Sequence, residues 1–258
     1  MSLFLLYSNT TSETGPKISE LLKSDMGTAP PNKPYDFIVN YGSTIDVDPS
    51  LAKIAIINDP SHVKQNAQNK GQALRTMYNE GVSVPRTYPV LQALARSDEL
   101  LPLLGRKGSH VSGSGFYMCV TEEDMKEAID NGCTHFADFL SIKQEYRVHM
   151  MGGFPFLIQE KANNGRGHKY IRTNSNGWQF LTKDLHRSYL PNSVMHNAVM
   201  ALDVLGMDFG AVDIGIDSRD DAYIFEVNSG AGLTGGDHAK RFVNALSFFI
   251  TEKYGVRL

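Results

Sequence analysis

The sequence predicts an α+β protein built from three lobes, and three observations carry that expectation. Strand-like runs with apolar residues at period two and helix-like runs at period 3.6 follow one another without strict βαβ alternation, which disfavours one doubly wound sheet. At 258 residues the chain can form one large domain or two to three small lobes, each with a core. Proline- and glycine-rich stretches, "TAPPNKP", "NDPS" and "VSVPRTYPV", punctuate the runs.

The first lobe is read as a small α/β unit, half of a nucleotide-type fold: a strand over 3–8, a helix over 17–24 with Ile18, Leu21 and Leu22 on one face, then the strands "DFIVN" and "KIAIIN". A helix over 64–80 follows, with Ala73, Leu74, Met77 and Tyr78 as its apolar stripe and Gly81 as its stop. In the second lobe the strands "LPLLGR" and "GFYMCV" flank the loop "KGSHVSGS". A helix there begins at Thr121, with Glu122, Glu123 and Asp124 in the first turn, where acids suit the dipole, and ends at Gly132. The strand "HFADFL" leads into the third lobe. Strands are expected there over 145–150, 154–161, "YIRTN" and "WQFL", then a helix from Pro191 to Leu205, a hairpin, and a last helix over 238–254 with Phe242, Leu246, Phe249 and Ile250 on one side.

Composition narrows the function classes. With 25 basic and 28 acidic residues the net charge is -3, so no global field recruits nucleic acid or an anionic membrane. No run approaches the roughly 20 apolar residues of a membrane span. Cys119 and Cys133 are too few for a disulfide framework or a thiolate zinc site, and "MSLFLLYSNTTSE" reads as a buried strand and not as an export signal. A cytoplasmic protein is expected.

The stretch "AVDIGIDSRDDAYIFEVNSG", residues 211–230, carries the chemistry. Val212, Ile214 and Ile216 alternate, as do Tyr223, Phe225 and Val227, around a polar turn at Ser218 to Asp221, so the segment reads as a hairpin. Position 217 then faces 222, and 213 faces 226. Asp213 and Glu226 become cross-strand neighbours with Cα atoms on the order of 5 Å apart, and Asn228 lies two residues on, on the same face. Like charges at that distance repel unless a cation or a shared proton lies between them, and oxygen donors on a rigid sheet suit a hard divalent ion. The competing reading is a solvated acidic face.

"GRKGSHVSGSG", residues 105–115, is a glycine- and serine-rich loop with Arg106 and Lys107 at its entrance; it is neither a Walker loop nor a dinucleotide fingerprint. Its backbone N–H groups and the guanidinium suit phosphate oxygens, and its competing reading is a mobile hairpin. Lys143, Arg147, Lys161, Arg166, Lys169 and Arg172 outnumber Glu145 and Glu160 in the next stretch, and "EYRVH" and "YIRTN" embed charges in strand-like surroundings, where they need partners. The histidines, His110, His135 and His149 among them, show no metal spacing, and Ser112 and Ser114 lack a GxSxG elbow. Trp178 is read as core.

In order, "NKGQALRTMYNEGVSVPRT", "LLGRKGSHVSGSG", "ADFL", "EYRVH", "YIRTN" and "LGMDFGAVDIGID...AYIFEVNSGAGLTG" resemble the ATP-grasp carboxylate-amine ligases, particularly the glutamate-ligase branch, with "EYRVH" similar to bacteriophage carboxylate-amine ligases. The resemblance covers about residues 69–235. It implies an ATP-grasp fold with ATP between two antiparallel sheets. The divisions implied are residues 1–66 as an N-terminal α/β domain and 67–258 as the ATP-grasp domain, with a small lobe over about 88–140 and a large lobe over about 141–258.

The roles implied are Asp213, Glu226 and Asn228 as ligands of Mg2+ or Mn2+, and Arg106 with Ser112, Gly113 and Gly115 at the phosphates. Asp138, Phe139 and Leu140 match the adenine hinge and Glu145 a ribose contact. Lys161, Arg172 and Asn174 join the nucleotide site, and Arg147 and Arg172 act on the acyl phosphate or substrate carboxylate. Three departures stand out: arginine replaces lysine at 106, aspartate replaces glutamate at 138, and "SGAG" replaces a proline-containing turn. The activity implied is amide formation between a carboxylate and an amine (an amino acid, a peptide or a protein terminus) through an acyl phosphate, with ADP and phosphate released. An ATP-grasp small-molecule kinase and a non-catalytic nucleotide-binding interaction protein are the alternatives.

Overall fold

The computed structural model describes residues 1–8, 13–68, 70–107, 115–163, 165, 172, 176–182 and 190–258. Three sheets organise them. The first is parallel, built from β1 (Leu3–Tyr7), β2 (Asp25–Gly27), β3 (Tyr35–Tyr41) and β4 (Ala52–Ile57) in the order β2-β1-β3-β4, with α1 (Thr14–Leu22) on one side. α1 starts three residues earlier than the sequence indicates; it buries Ile18, whereas Leu21 is exposed.

Where one helix is expected over 64–80, two occur, α2 (Pro60–Gln68) and α3 (Lys70–Asn79). Leu74 and Met77 of α3 are buried, but Tyr78 turns outward, so the stripe is narrower than the pattern suggests.

The second sheet is antiparallel, in the order β5-β8-β6-β7, from β5 (Thr87–Pro89), β6 (Leu103–Arg106), β7 (Phe116–Cys119) and β8 (His135–Asp138). Around it lie α4 (Val90–Leu94), α5 (Ser97–Leu100) and α6 (Glu122–Asp130). α6 begins at a capping box in which Thr121 accepts from the Asp124 N–H and the Asp124 carboxylate accepts from the Thr121 N–H. Cys119 and Cys133 are unpaired and buried in this lobe's core.

The third sheet, in the order β11-β10-β9-β12-β13, is antiparallel: β9 (Ile142–Met151), β10 (Phe154–Asn163), β11 (Trp178–Thr182), β12 (Phe209–Asp217) and β13 (Ala222–Asn228). α7 (Asn192–Val204) packs on one face, and α8 (His238–Tyr254), with the bounds read from sequence, covers part of the other. The strand expected at "YIRTN" falls outside the described residues apart from Arg172, which belongs to no element.

The hairpin departs from the simple count. Ile216 pairs with Ala222 and Ile214 with Ile224, one residue short of the expected register, and a bulge at Phe225 then restores Asp213 opposite Glu226. The Phe225 ring lies over Gly215, where a Cβ would stand only 2.5 Å from the ring tip, so a larger residue at that point in β12 would have to displace the ring.

The first lobe is clamped to the third. Asn58, fully buried, donates through Nδ2 to the Phe209 carbonyl at 2.8 Å and accepts from the Phe209 N–H at 3.0 Å, while its own N–H donates to Asp208 at 2.8 Å. Gly42 and Gly230 bring the two backbones so close that a Cβ on Gly230 would lie 3.2 Å from the Gly42 Cα. Among the described residues no helix is long and apolar enough to cross a membrane.

Candidate active site

Strand alternation assembles the site. β12 lies between β9 and β13, with Asp213 opposite both Arg147 and Glu226. Arg147 faces Gln159 on β10, and Lys161 on β10 faces Phe180 on β11. One sheet face therefore presents Glu145, Arg147, Lys161, Asp213 and Glu226, with Asn228 two residues along from Glu226. The intervening residues, Tyr146, Val148, Ile158, Val212 and Ile214, form the core against α7 and hold the charged face rigid.

Each carboxylate on this face has a cation. Arg147 grips Asp213 in a two-pronged bridge, Nε to Oδ1 at 2.7 Å and Nη2 to Oδ2 at 2.8 Å. Burial opposes the charge on Arg147, yet Asp213, with Glu226 and Glu145 behind it, raises its pKa. Lys161 donates to Glu145 at 2.6 Å, and an Arg172 nitrogen lies 4.0 Å from the same carboxylate. Arg172 also donates to the Ile142 carbonyl. Glu145 is 7% exposed, and burial raises its pKa although Lys161 pulls it down. The structure thus gives Glu145 to Lys161 and Arg172 and not to an open face.

Aromatic side chains of β11 support the cations. Phe180 lies 4.1 Å from the Arg147 guanidinium and 5.1 Å from the Lys161 ammonium, and Trp178 lies 4.7 Å from the Arg172 guanidinium. Trp178 is half-buried at this edge and is not in the core, as the sequence suggested; the edge position of β11 leaves its ring a cation to cover instead of a second sheet.

The opposing sheet contributes Arg106. Its residue is 8% exposed, its guanidinium rests on the ring of its cross-strand partner Phe116 at 4.6 Å, and burial lowers its pKa against the pull of Glu226. Its Nε is the only buried side-chain nitrogen or oxygen without a hydrogen-bond partner among the described residues. A buried, charged donor aimed at no acceptor is costly unless an anion fills the gap, so this atom fits a phosphate oxygen. Gly115 closes the base of the adjacent loop by accepting from the Lys107 N–H at 3.2 Å. Ser112, Gly113 and Asn174 lie outside the described residues.

Asp138, at the end of β8, accepts from the Tyr88 hydroxyl at 2.9 Å, and Phe139 and Leu140 form the half-buried crossing into β9, between the two antiparallel sheets.

Sequence reasoning assigned no role to Lys70. The first residue of α3 donates through Nζ to Glu226 Oε1 at 2.6 Å, a contact spanning 156 positions. Among the described residues, five cations, Lys70, Arg106, Arg147, Lys161 and Arg172, then gather around three carboxylates, Glu145, Asp213 and Glu226, a surplus of two positive charges inside a chain of net charge -3. A polyanion is the ligand such a surplus suits.

Among the described residues no three His, Cys, Asp or Glu side chains cluster as a metal site. The trio on this face offers two carboxylates and a carboxamide, all-oxygen donors of the kind Mg2+ takes together with phosphates. The donor set fits.

No protein-family model matches the chain. No curated protein matches it either. Solved structures do. The ligase PsnB, an ATP-grasp ligase complexed with its minimal precursor, Mg and ADP, superposes with a TM-score of 0.68 at 11% identity over 95% of this chain and 96% of that one. D-alanine–D-alanine ligase from Bacillus anthracis gives 0.67 at 13% identity over 97% and 96%. D-cycloserine synthetase DcsG gives 0.61 at 15% identity over 95% and 98%. At these identities the likeness establishes architecture: the chain has the ATP-grasp fold.

Proposed function

We propose that this chain is an ATP-dependent carboxylate-amine ligase. The observation that carries the reading is the convergence, in a cleft between two antiparallel sheets, of an oxygen-donor trio with surplus cations, one of which keeps a buried donor unpaired.

Asp213, Glu226 and Asn228 would hold Mg2+, which when bound supplies charge neutralisation at the phosphates. Arg106 binds phosphate oxygen through its unpaired Nε, and Lys161 and Arg172 extend the positive wall. A substrate carboxylate oxygen attacks the γ-phosphorus and ADP leaves, giving an acyl phosphate. The amine nitrogen then attacks the acyl carbon, phosphate leaves, and the amine proton passes to solvent. Phosphoryl transfer asks a protein mainly for positioning and charge, and both are what this site offers. Arg147, gripped by Asp213, positions that carboxylate and faces the developing charge on the acyl phosphate. Acids and amines of several sizes suit the reading: ATP-grasp neighbours have been solved with a precursor peptide and with leader and core peptides.

The test is ADP release from ATP and Mg2+ across a panel of carboxylic acids, with hydroxylamine replacing the amine. A hydroxamate, found by mass, requires an activated carboxyl. ADP release that never yields one, with a phosphorylated product instead, would establish a kinase.

A further inference from the structure

A concavity of about 230 Å³ lies at β13, the edge strand of the five-stranded sheet, and no residue of the other antiparallel sheet lines it. Its deep wall is Leu74 and Met77 of α3 with Leu205 and Met207, each no more than 6% exposed. Its rim carries Lys70, Glu226 and Asn228. The cavity thus begins where the proposed metal ligands end.

Its chemistry is two-sided. The ammonium of Lys70 has three N–H donors, and among the described residues one goes to Glu226, leaving donors for an incoming carboxylate. The deep wall is hydrocarbon, where a second charge or an unpaired amide would lose its hydration, while Ser8, Asn66 and Ser229 line the rest of the cavity beside the rim. The volume exceeds the roughly 150 Å³ of an engineered apolar cavity that binds benzene, so a branched aliphatic or aromatic side chain fits.

We infer that the acid activated by this chain carries one apolar side chain, about the size of leucine's or phenylalanine's, seated against Leu74, Met77, Leu205 and Met207, with its carboxylate held at the rim by Lys70. This rests on the ligase reading above and adds the class of acid to it. Lys70 is then a substrate-binding residue and the α3 wall determines specificity.

The experiment compares isosteric acids on the full chain with ATP, Mg2+ and hydroxylamine. Leucine is expected to give a hydroxamate with kcat/KM about tenfold or more above asparagine, which has the same shape but an amide. Ala73, which also lines the cavity, provides the second arm: Ala73→Leu fills it and is expected to reverse the preference toward alanine, with thermal stability and ATP binding unchanged. Equal use of leucine and asparagine, preference for dicarboxylic acids, or no change of preference in Ala73→Leu would overturn the inference and leave the ligase reading intact.

If no acid gives a hydroxamate, the ligase reading fails, and calorimetric titration of the same acids without hydroxylamine still decides the cavity. Leucine binding that weakens in Ala73→Leu and in Lys70→Met upholds it. No binding, or binding indifferent to both variants, overturns it.

Discussion

The two faces of the five-stranded sheet are made by alternate residues of the same strands, and they could hardly differ more. Toward α7, Tyr146, Val148, Ile158, Val212, Ile214 and Ile224 are each at most 6% exposed and interlock as hydrocarbon. On the other side Phe209, Met151 and Leu157 pack against α8, and farther along the strands the surface becomes Arg147, Lys161, Asp213 and Glu226. The apolar face anchors the strands so firmly that carboxylates can be kept near one another on the reverse, each neutralised by a cation. Stability is drawn from one side and chemistry is placed on the other.

The largest effect expected comes from writing one face onto the other. Val212 is fully buried beside Asp213. Val212→Asp puts an unpaired carboxylate into hydrocarbon and is expected to cost about 4 kcal/mol or more, enough to abolish cooperative unfolding or soluble expression. A urea midpoint near that of the parent would mean the α7 face is far looser than described.

Glu226→Ala is the complementary change. The Glu226 side chain is 26% exposed and its removal leaves Lys70, itself 30% exposed, to be solvated, so stability is expected to move by less than about 1 kcal/mol. ADP release is expected to fall roughly 100- to 1000-fold, the usual cost of losing a group that stabilises developing charge. Undiminished turnover would remove Glu226 from the proposed metal site.

The contrast also shows what could be read from sequence. Period-two alternation of Val212, Ile214 and Ile216 announced a one-sided strand, and the Asp213–Glu226 pair followed by counting from the turn. That count succeeded because two departures cancel: Asp217 closes the turn onto the Asp221 carbonyl at 3.0 Å, one residue early, and the bulge at Phe225 adds the residue back. A bulged phenylalanine looks like ordinary alternation, so nothing in the string marks it. Strand-embedded charges such as Glu145 and Arg147 signalled that partners were needed, but their identity is tertiary: Arg147 finds Asp213 across 66 positions and Glu226 finds Lys70 across 156. Lys70 opens a helix in an unremarkable polar run, and no periodicity distinguishes it from a solvated lysine.

A smaller effect separates burial from charge on the same face. His149 is 2% exposed, its Nε2 meets Gln159 at 2.9 Å, and burial pushes its pKa down to about 4 from an ordinary 6.5. The unfolded chain binds this proton first as pH falls, so stability is expected to decline from about pH 6.5 to about pH 4, by at most about 3 kcal/mol. Glu145, with its pKa raised, has the opposite sign, favouring the folded state as pH falls. Unfolding midpoints of parent and His149→Gln across that range isolate the histidine, because glutamine keeps a donor for Gln159 without titrating there. Parallel pH profiles would show that His149 does not control the acid limb.

The smallest effect expected concerns Phe180, which touches the charged face without being charged. Its ring lies 4.1 Å from the Arg147 guanidinium and 5.1 Å from the Lys161 ammonium, so one π face serves two cations whose carboxylates are Asp213 and Glu145. Phe180→Leu keeps apolar cover of nearly the same bulk and removes only the quadrupole; Phe180→Tyr keeps the quadrupole. Leucine is expected to cost about 1 kcal/mol of stability and to weaken ATP binding about two- to fivefold by letting Arg147 and Lys161 wander, whereas tyrosine should match the parent in both. Titration of ATP by calorimetry beside urea unfolding reads the two quantities separately. Identical behaviour of leucine and tyrosine would mean that the carboxylates alone hold these cations, and that β11 covers the charged face without ordering it.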